Sequence, residues 1–171
     1  MKHAEGRAWI HSPGAGRAFM VEIGADAPDF KLVSQNNEWH TGAEHKGSKV
    51  VLAFFPAAFT GVCTTEMCTF QSRLGELNEA DAVVYGICVD ARFTNAAFAK
   101  ANDISFPILS DYTRETINAY GIAHEDFAGM PGYTVSKRAV FIVDEQGDVC
   151  WKWVADSPGN EPDYDAVIAA L

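Results

Sequence analysis

Residues 49–68 read KVVLAFFPAAFTGVCTTEMC: an apolar run, a loop containing a proline, and two cysteines five positions apart. The run Lys49–Phe55 is continuous rather than alternating, which indicates a central strand buried on both faces. From Cys63 onward apolar residues recur at intervals of three and four, which predicts a helix over residues 63–80. Strand, loop and helix in this order indicate an α/β domain, with Cys63 in the first turn of the helix.

The rest of the chain continues to alternate strands and helices. Two short strands, Asp29–Gln35 and Glu38–Gly42, are predicted to form an N-terminal β-hairpin through Asn36 and Asn37. The other predicted elements are strands at 82–89 and 106–109, helices at 92–102 and 113–120, a strand hairpin within 139–154 and a terminal helix at 163–171. In the helix at 92–102, Phe93 is one of the residues that recur on successive turns. This order predicts a mixed central sheet flanked by helices.

Charge and length narrow the class of protein. The chain has 171 residues and a formal net charge of −10, which argues against a nucleic-acid surface and an anionic membrane face. Its longest uncharged apolar run, Val50–Val62, is too short to span a membrane and contains a proline and a glycine. Residues 1–19 are relatively basic and include SPGAG, so we expect a flexible tail followed by one domain at 20–171. We also expect a cytoplasmic location.

The four cysteines differ in their surroundings. Cys88 and Cys150 lie in apolar, β-branched runs and are interpreted as small apolar residues of buried strands. Cys63 instead lies at a helix start, where free N–H groups and the helix dipole favour the thiolate, the nucleophilic form of cysteine. The hydroxyl of Thr60 can reach the same space, and Pro56 can form a dry wall. This part of the chain therefore suits a thiolate that attacks a small polar substrate.

The motif P-x-x-x-T-x-x-C, formed by Pro56, Thr60 and Cys63, resembles the active-site signature of the peroxiredoxins. The resemblance extends over about residues 21–171, in the segments APDF (27–30), VVLAFFPAAFTGVCTTEMC (50–68), VYGICVD (84–90), FPILSD (106–111) and RAVFIVDEQG (138–147). It implies a thioredoxin-like fold and a thiol-dependent peroxidase that reduces hydrogen peroxide and organic hydroperoxides.

The resemblance also implies a role for individual residues. Cys63 would attack the terminal peroxide oxygen and become a sulfenic acid. Thr60 would bind the peroxide, Pro56 would shield the sulfur from water, and Arg138 would stabilise the thiolate and the leaving oxygen. Glu66 matches an acidic position of many relatives and would orient an arginine, or would only be an acid that the helix dipole favours.

Cys68 has two interpretations. Q-type peroxiredoxins, the bacterioferritin comigratory proteins, can carry a resolving cysteine at this spacing, whereas AhpE-like one-cysteine members use an external thiol. Five residues of intact helix separate two Cα atoms by roughly 8–9 Å, and a disulfide needs about 4.4–6.8 Å. A disulfide between Cys63 and Cys68 therefore requires the first helical turns to unwind.

The expected partners are a hydroperoxide and a thiol reductant such as thioredoxin, glutaredoxin or mycoredoxin, and the resemblance implies a homodimer. No cofactor is expected. No metal site is expected either, because C-x4-C lies outside the usual zinc-binding spacings and the other two cysteines stand alone. A mixed site of cysteines and histidines is not expected either, although the chain contains His3, His11, His40, His45 and His124. The alternative function is a non-peroxidatic thioredoxin-like protein, either a thiol-disulfide or a binding protein.

Overall fold

A seven-stranded mixed sheet organises the part of the chain that the computed structural model describes, residues 19–171. Its strands are β1 (Lys31–Ser34), β2 (Trp39–Thr41), β3 (Lys49–Phe54), β4 (Ala82–Cys88), β5 (Ile108–Ser110), β8 (Ala139–Val143) and β9 (Val149–Val154). A separate antiparallel pair is formed by β6 (Ala123–His124) and β7 (Val135–Ser136). The predicted tail, apart from Phe19, lies outside the described residues.

The strand order is β2-β1-β5-β4-β3-β8-β9, with β3, β4 and β5 parallel and the remaining pairs antiparallel. Strand β3 lies in the interior of the sheet between β4 and β8, and five of its six residues are buried. This placement explains its continuous apolar sequence, because both of its faces are covered. At the N-terminal end, β1 and β2 pair antiparallel, with Val33 opposite Trp39.

Helices cover the two faces of the sheet unequally. They are α1 (Gly61–Ser72), α2 (Leu74–Glu79), α3 (Arg92–Ala101), α4 (Glu115–Ala119) and α5 (Tyr164–Ala169), with 3₁₀ turns at Ala43–His45 and Phe127–Gly129. One core contains buried side chains of α1, α2, α3 and α5, and the core on the other face contains those of α4. Cys63 belongs to the first of these cores.

The predicted single helix over 63–80 is wrong, because the chain breaks it at Arg73. The backbone of Arg73 has φ −102° and ψ 9°, and α2 starts one residue later. The Arg73 guanidinium binds Glu76 of α2 and Asp165 of α5, which fixes the bend against the terminal helix. The apolar spacing continues almost unchanged across the break, so periodicity could not reveal it.

The face of α3 that recurs in the sequence is not its buried face, and the expected burial of Cys150 is wrong. Phe93 is 70% exposed, and the buried side chains of α3 include Asn95 and Phe98 instead. Asn95 turns inward because it accepts from Cys88 Sγ at 3.2 Å and donates to the Asp90 carbonyl. Cys150 is exposed, because β9 is the edge strand of the sheet and one of its faces meets solvent.

Among residues 19–171, no helix has the length and apolar character needed to cross a membrane.

Candidate active site

The sheet brings Arg138 beside the loop that leads to Cys63. Strands β3 and β8 run antiparallel, and Phe54 at the end of β3 lies opposite Ala139 at the start of β8. The residue before β8 and the residues after β3 therefore meet at the same end of the sheet, where β3 finishes and β8 begins. Arg138 and the loop at 55–60 are these residues, although they are about 80 positions apart in the sequence.

Cys63 is the third residue of α1, and its side chain is 1% exposed. Arg138 donates from Nη2 to Cys63 Sγ over 3.3 Å. The first turn of a helix presents unpaired backbone N–H groups and the positive end of the dipole. A negative charge on this sulfur is therefore stabilised from two directions, by the guanidinium and by the helix start.

The other hydrogen bonds of the Arg138 guanidinium hold this side chain in place. Its Nε and Nη2 donate to the Pro158 carbonyl at 3.2 and 2.8 Å, and its Nη1 donates to Glu66 Oε2 at 2.5 Å. The Arg138 side chain is 2% exposed and that of Glu66 is fully buried. Three hydrogen bonds to two partners thus fix the position from which the guanidinium contacts Cys63.

Glu66 lies one turn along α1 from Cys63 and has lost its hydration. Burial raises the pKa of its carboxyl to about 8, although Arg138 opposes this shift by its charge and its hydrogen bond. Glu66 Oε1 has no hydrogen-bond partner among the described residues, which is consistent with an incompletely stabilised carboxylate. A protonated Glu66 does not neutralise Arg138, so the arginine's charge remains available to the sulfur.

The raised pKa of Glu66 predicts a pH-dependent stability. Between about pH 4.5 and 8 the folded chain binds more protons at this carboxyl than the unfolded chain does, so the free energy of unfolding falls as pH rises. Glu66→Gln removes this dependence. Urea unfolding at pH 5, 6, 7 and 8 should show the wild type losing stability relative to the variant, by up to about 1.4 kcal/mol per pH unit. A difference that stays constant over this range would contradict the prediction.

The loop before α1 is shaped by backbone strain and by polar anchors. Phe59 has φ 63°, a left-handed conformation that costs energy for a residue with a side chain. The Ala58 N–H donates to Asp90 Oδ2 at 2.8 Å, and Thr60 Oγ1 donates to the Ala57 carbonyl at 2.9 Å. Pro56 is buried at the start of the loop. These contacts hold Thr60 at the N-cap of α1, three residues before Cys63.

Cys68 lies on the same unbroken helix as Cys63 and is half-buried. Its Sγ is 3.9 Å from Asn102 Oδ1, a weak contact at the end of α3. All four cysteines, each of which falls within residues 19–171, are free thiols. In this conformation the resolving role that was considered for Cys68 has no direct geometric basis, because α1 is intact.

A profile of the AhpC/TSA family matches residues 23–152, well over half of the chain. The chain belongs to the AhpC/TSA family of peroxiredoxins. Its relatives include alkyl hydroperoxide reductase E of Mycobacterium tuberculosis (strain ATCC 25618 / H37Rv), which is 36% identical over 131 residues, 75% of this chain and 82% of that protein.

Solved structures show the same fold. The crystal structure of peroxidoxin BcpB from Mycobacterium tuberculosis has a TM-score of 0.77 and 27% identity, and the match covers 88% of this chain and 96% of that one. The bacterioferritin comigratory protein of Xanthomonas campestris, whose structures address its alkyl peroxide reduction activity, has a TM-score of 0.75 and 25% identity, over 88% and 94% of the two chains. The predicted thioredoxin-like fold is confirmed.

In this peroxiredoxin the structure brings together Cys63, Glu66 and Arg138, with Thr60 and Pro56 in the adjoining loop. Two supporting groups were missed by sequence reasoning. The Pro158 carbonyl is a backbone group in the segment KWVADSPGN (152–160), which resembles AhpE-like members, but nothing in the sequence indicates that this carbonyl contacts Arg138. Asp90 could have been found from the sequence, because it follows the carboxyl end of the parallel strand β4. The carboxyl ends of parallel strands are where α/β proteins place functional groups.

Proposed function

We propose that the protein is a thiol-dependent peroxidase that reduces hydrogen peroxide and organic hydroperoxides at Cys63. The observation that carries the proposal is the bond from Arg138 Nη2 to Cys63 Sγ at 3.3 Å, inside a buried and fully anchored arrangement. A structural cysteine needs no buried guanidinium, whereas a guanidinium at this distance stabilises a thiolate nucleophile. Membership of the AhpC/TSA family supports the same chemistry.

The first chemical step is a nucleophilic displacement. The Cys63 thiolate forms a bond to the terminal peroxide oxygen while the O–O bond breaks, so that the sulfur is oxidised by two electrons and the peroxide is reduced. The leaving alkoxide or hydroxide takes a proton and departs as alcohol or water, and Cys63 remains as a sulfenic acid. Arg138 stabilises the charge as it moves from sulfur to the leaving oxygen, and the hydroxyl of Thr60 binds the peroxide.

The second step returns Cys63 to the thiol and requires α1 to open. A sulfur that is 1% exposed cannot meet a protein reductant in this conformation. Three threonines of α1 hydrogen-bond back to carbonyls four residues earlier: Thr64 to Thr60, Thr65 to Gly61 and Thr69 to Thr65. Such bonds weaken a helix, and Thr60 caps α1 without a side-chain hydrogen bond. These features support local unwinding.

We propose that, once α1 has unwound, Cys68 condenses with the Cys63 sulfenic acid to give a disulfide and one molecule of water. One equivalent of hydrogen peroxide should then convert the reduced protein to a form lighter by two hydrogens, with Cys63 and Cys68 linked in the peptide map. Cys68→Ser should leave a sulfenic acid that a trapping reagent labels at Cys63. A labelled Cys63 beside a free Cys68 in the wild type would contradict this step and assign resolution to an external thiol.

The reductant is a thiol, and we propose one of the thioredoxin, glutaredoxin or mycoredoxin classes in the cytoplasm, where such thiols are kept reduced. The test is steady-state consumption of hydrogen peroxide and of an organic hydroperoxide with each reductant and with a small thiol. We expect turnover with at least one of them. If no hydroperoxide oxidises even one thiol per chain, the proposed peroxidase function is wrong.

We also propose a homodimer formed through exposed aromatic side chains near the active-site loop. Trp39, Phe93 and Tyr112 are 53%, 70% and 54% exposed and line one cavity of about 270 Å³. An aromatic cluster of this kind is typical of an interface. Phe93→Glu should shift the sedimentation coefficient from dimer to monomer, and His124→Gln serves as the control. A monomeric wild type, or a dimer unaffected by Phe93→Glu, would contradict the proposal.

A further inference from the structure

Four polar side chains from three elements converge on the sheet face that lies away from Cys63. His40 comes from β2, Glu44 and His45 from the first 3₁₀ turn, and Tyr85 from β4. Tyr85 belongs to the core opposite the one that contains Cys63. The ligand-type atoms of His40, Glu44 and His45 all lie within 4.8 Å of one another. The peroxidase chemistry uses none of these residues.

The separations in this cluster match those between ligands of one metal ion. Glu44 Oε1 lies 3.3 Å from His40 Nδ1 and 3.3 Å from His45 Nε2. Tyr85 Oη is 3.1 Å from His40 Nδ1 and contacts His45 Nε2 closely. Ligand atoms bound tetrahedrally at about 2.0–2.1 Å stand about 3.3 Å apart. The separations from Glu44 to the two histidine nitrogens, and from Tyr85 Oη to His40 Nδ1, thus fit edges of a zinc coordination tetrahedron.

These groups also hydrogen-bond to one another, and a bound ion would replace those bonds. The Tyr85 hydroxyl can donate to a ring nitrogen of one histidine and accept from a ring nitrogen of the other. The two imidazoles also share a single carboxylate oxygen of Glu44. A cation at the centre would satisfy these lone pairs together, since two imidazole nitrogens and one carboxylate oxygen form a common zinc ligand set.

We propose that His40, Glu44 and His45 bind a divalent transition-metal ion of the Zn²⁺ class, with the Tyr85 hydroxyl at the fourth position. The ligand atoms would be His40 Nδ1, His45 Nε2 and Glu44 Oε1. The histidine side chains are 17% and 19% exposed and that of Glu44 is 40% exposed. The ion therefore enters from solvent on the Glu44 side.

The bound ion would act as a structural clamp. It would connect the edge strand β2 and the 3₁₀ turn to the more central strand β4, elements that Tyr85 already joins by its contacts with His40 and His45. The site lies on the sheet face away from Cys63, so the ion would stabilise the fold rather than take part in peroxide reduction. The sequence pattern H-x3-E-H was not recognised as a site, because the completing residue, Tyr85, lies 40 positions beyond His45.

The test uses the full-length reduced protein, freed of metal by chelation and desalting and then titrated with Zn²⁺ and with Co²⁺. We expect one ion per chain by calorimetry and intense visible Co²⁺ bands of a tetrahedral site. At a free Zn²⁺ concentration of ~100 times Kd, the Tm should rise by about 5–10 °C. His45→Gln and Glu44→Gln should each lower the affinity by at least ~100-fold and remove the Tm shift, while peroxide consumption is retained.

His124→Gln is the matched histidine control, and His3→Gln with His11→Gln tests the N-terminal histidines; both should bind as the wild type does. A thiolate-to-cobalt charge-transfer band would instead place the ion on cysteine. That band, binding that survives His45→Gln and Glu44→Gln, or no binding at all would each overturn the proposal. None of these outcomes depends on the peroxidase reaction, so the two proposals can fail separately.

Discussion

Cys63→Ser should reduce hydroperoxide consumption by roughly four orders of magnitude or more, the scale seen when a nucleophile is removed from a pre-built site. The serine hydroxyl would occupy the same buried position and accept the same bond from Arg138. It would not ionise there at neutral pH, and a neutral hydroxyl attacks a peroxide poorly. The measurement is the second-order rate constant for oxidation by hydrogen peroxide, followed by stopped-flow fluorescence or by competition with a thiol of known reactivity.

Cys150→Ser is the matched control, because Cys150 is a free thiol that is exposed on β9 and lies outside the site. It should oxidise at the wild-type rate. Accessibility alone would favour Cys150 over the buried Cys63, so the comparison separates chemical activation from exposure. Equal losses in the two variants, or a Cys63→Ser protein that still consumes peroxide rapidly, would contradict the role of Cys63.

Local patterns in the sequence were enough to predict most of the fold. The continuous apolar run at Lys49–Phe55 indicated a central strand, and β3 is an interior strand of the sheet between β4 and β8. The predictions failed where specific polar contacts override periodicity. Arg73 breaks a helix whose apolar spacing continues, because it binds Glu76 and Asp165. Asn95 replaces Phe93 on the buried face of α3, because Cys88 and Asp90 satisfy its amide.

The part of the site that could be predicted from the sequence is the part that the motif P-x-x-x-T-x-x-C and the resemblance to peroxiredoxins include. Pro56, Thr60 and Cys63 are close in sequence, and Arg138 followed from the matching strand start rather than from local chemistry. The backbone groups that hold the site were not predictable, because a carbonyl such as that of Pro158 exists at every residue and only the fold selects it. The convergence of His40, His45 and Tyr85 was hidden for a similar reason, since β4 follows the histidines by about 40 residues.

Arg138→Lys should lower kcat/KM for hydroperoxide by about 10²–10³-fold, although the positive charge is retained. Arg138 contacts Cys63, Glu66 and the Pro158 carbonyl at once through a planar fork. A lysine ammonium is a point charge and cannot reach all three partners from one position.

Arg138→Met should reduce the rate at least as much, and it should also destabilise the fold by about 2–4 kcal/mol, because Glu66 and the Pro158 carbonyl lose their buried donor.

The double variant Arg138→Met with Glu66→Gln separates the structural part of this effect from the chemical part. Replacing Glu66 removes the buried carboxyl that Arg138→Met leaves unpaired, so the double variant should unfold at a higher urea concentration than Arg138→Met alone. It should not regain activity, because no cation then faces the Cys63 sulfur or the leaving oxygen. If peroxide reduction recovers together with stability, Arg138 only supports the fold. If stability recovers while kcat/KM stays low, the guanidinium acts on the reacting atoms.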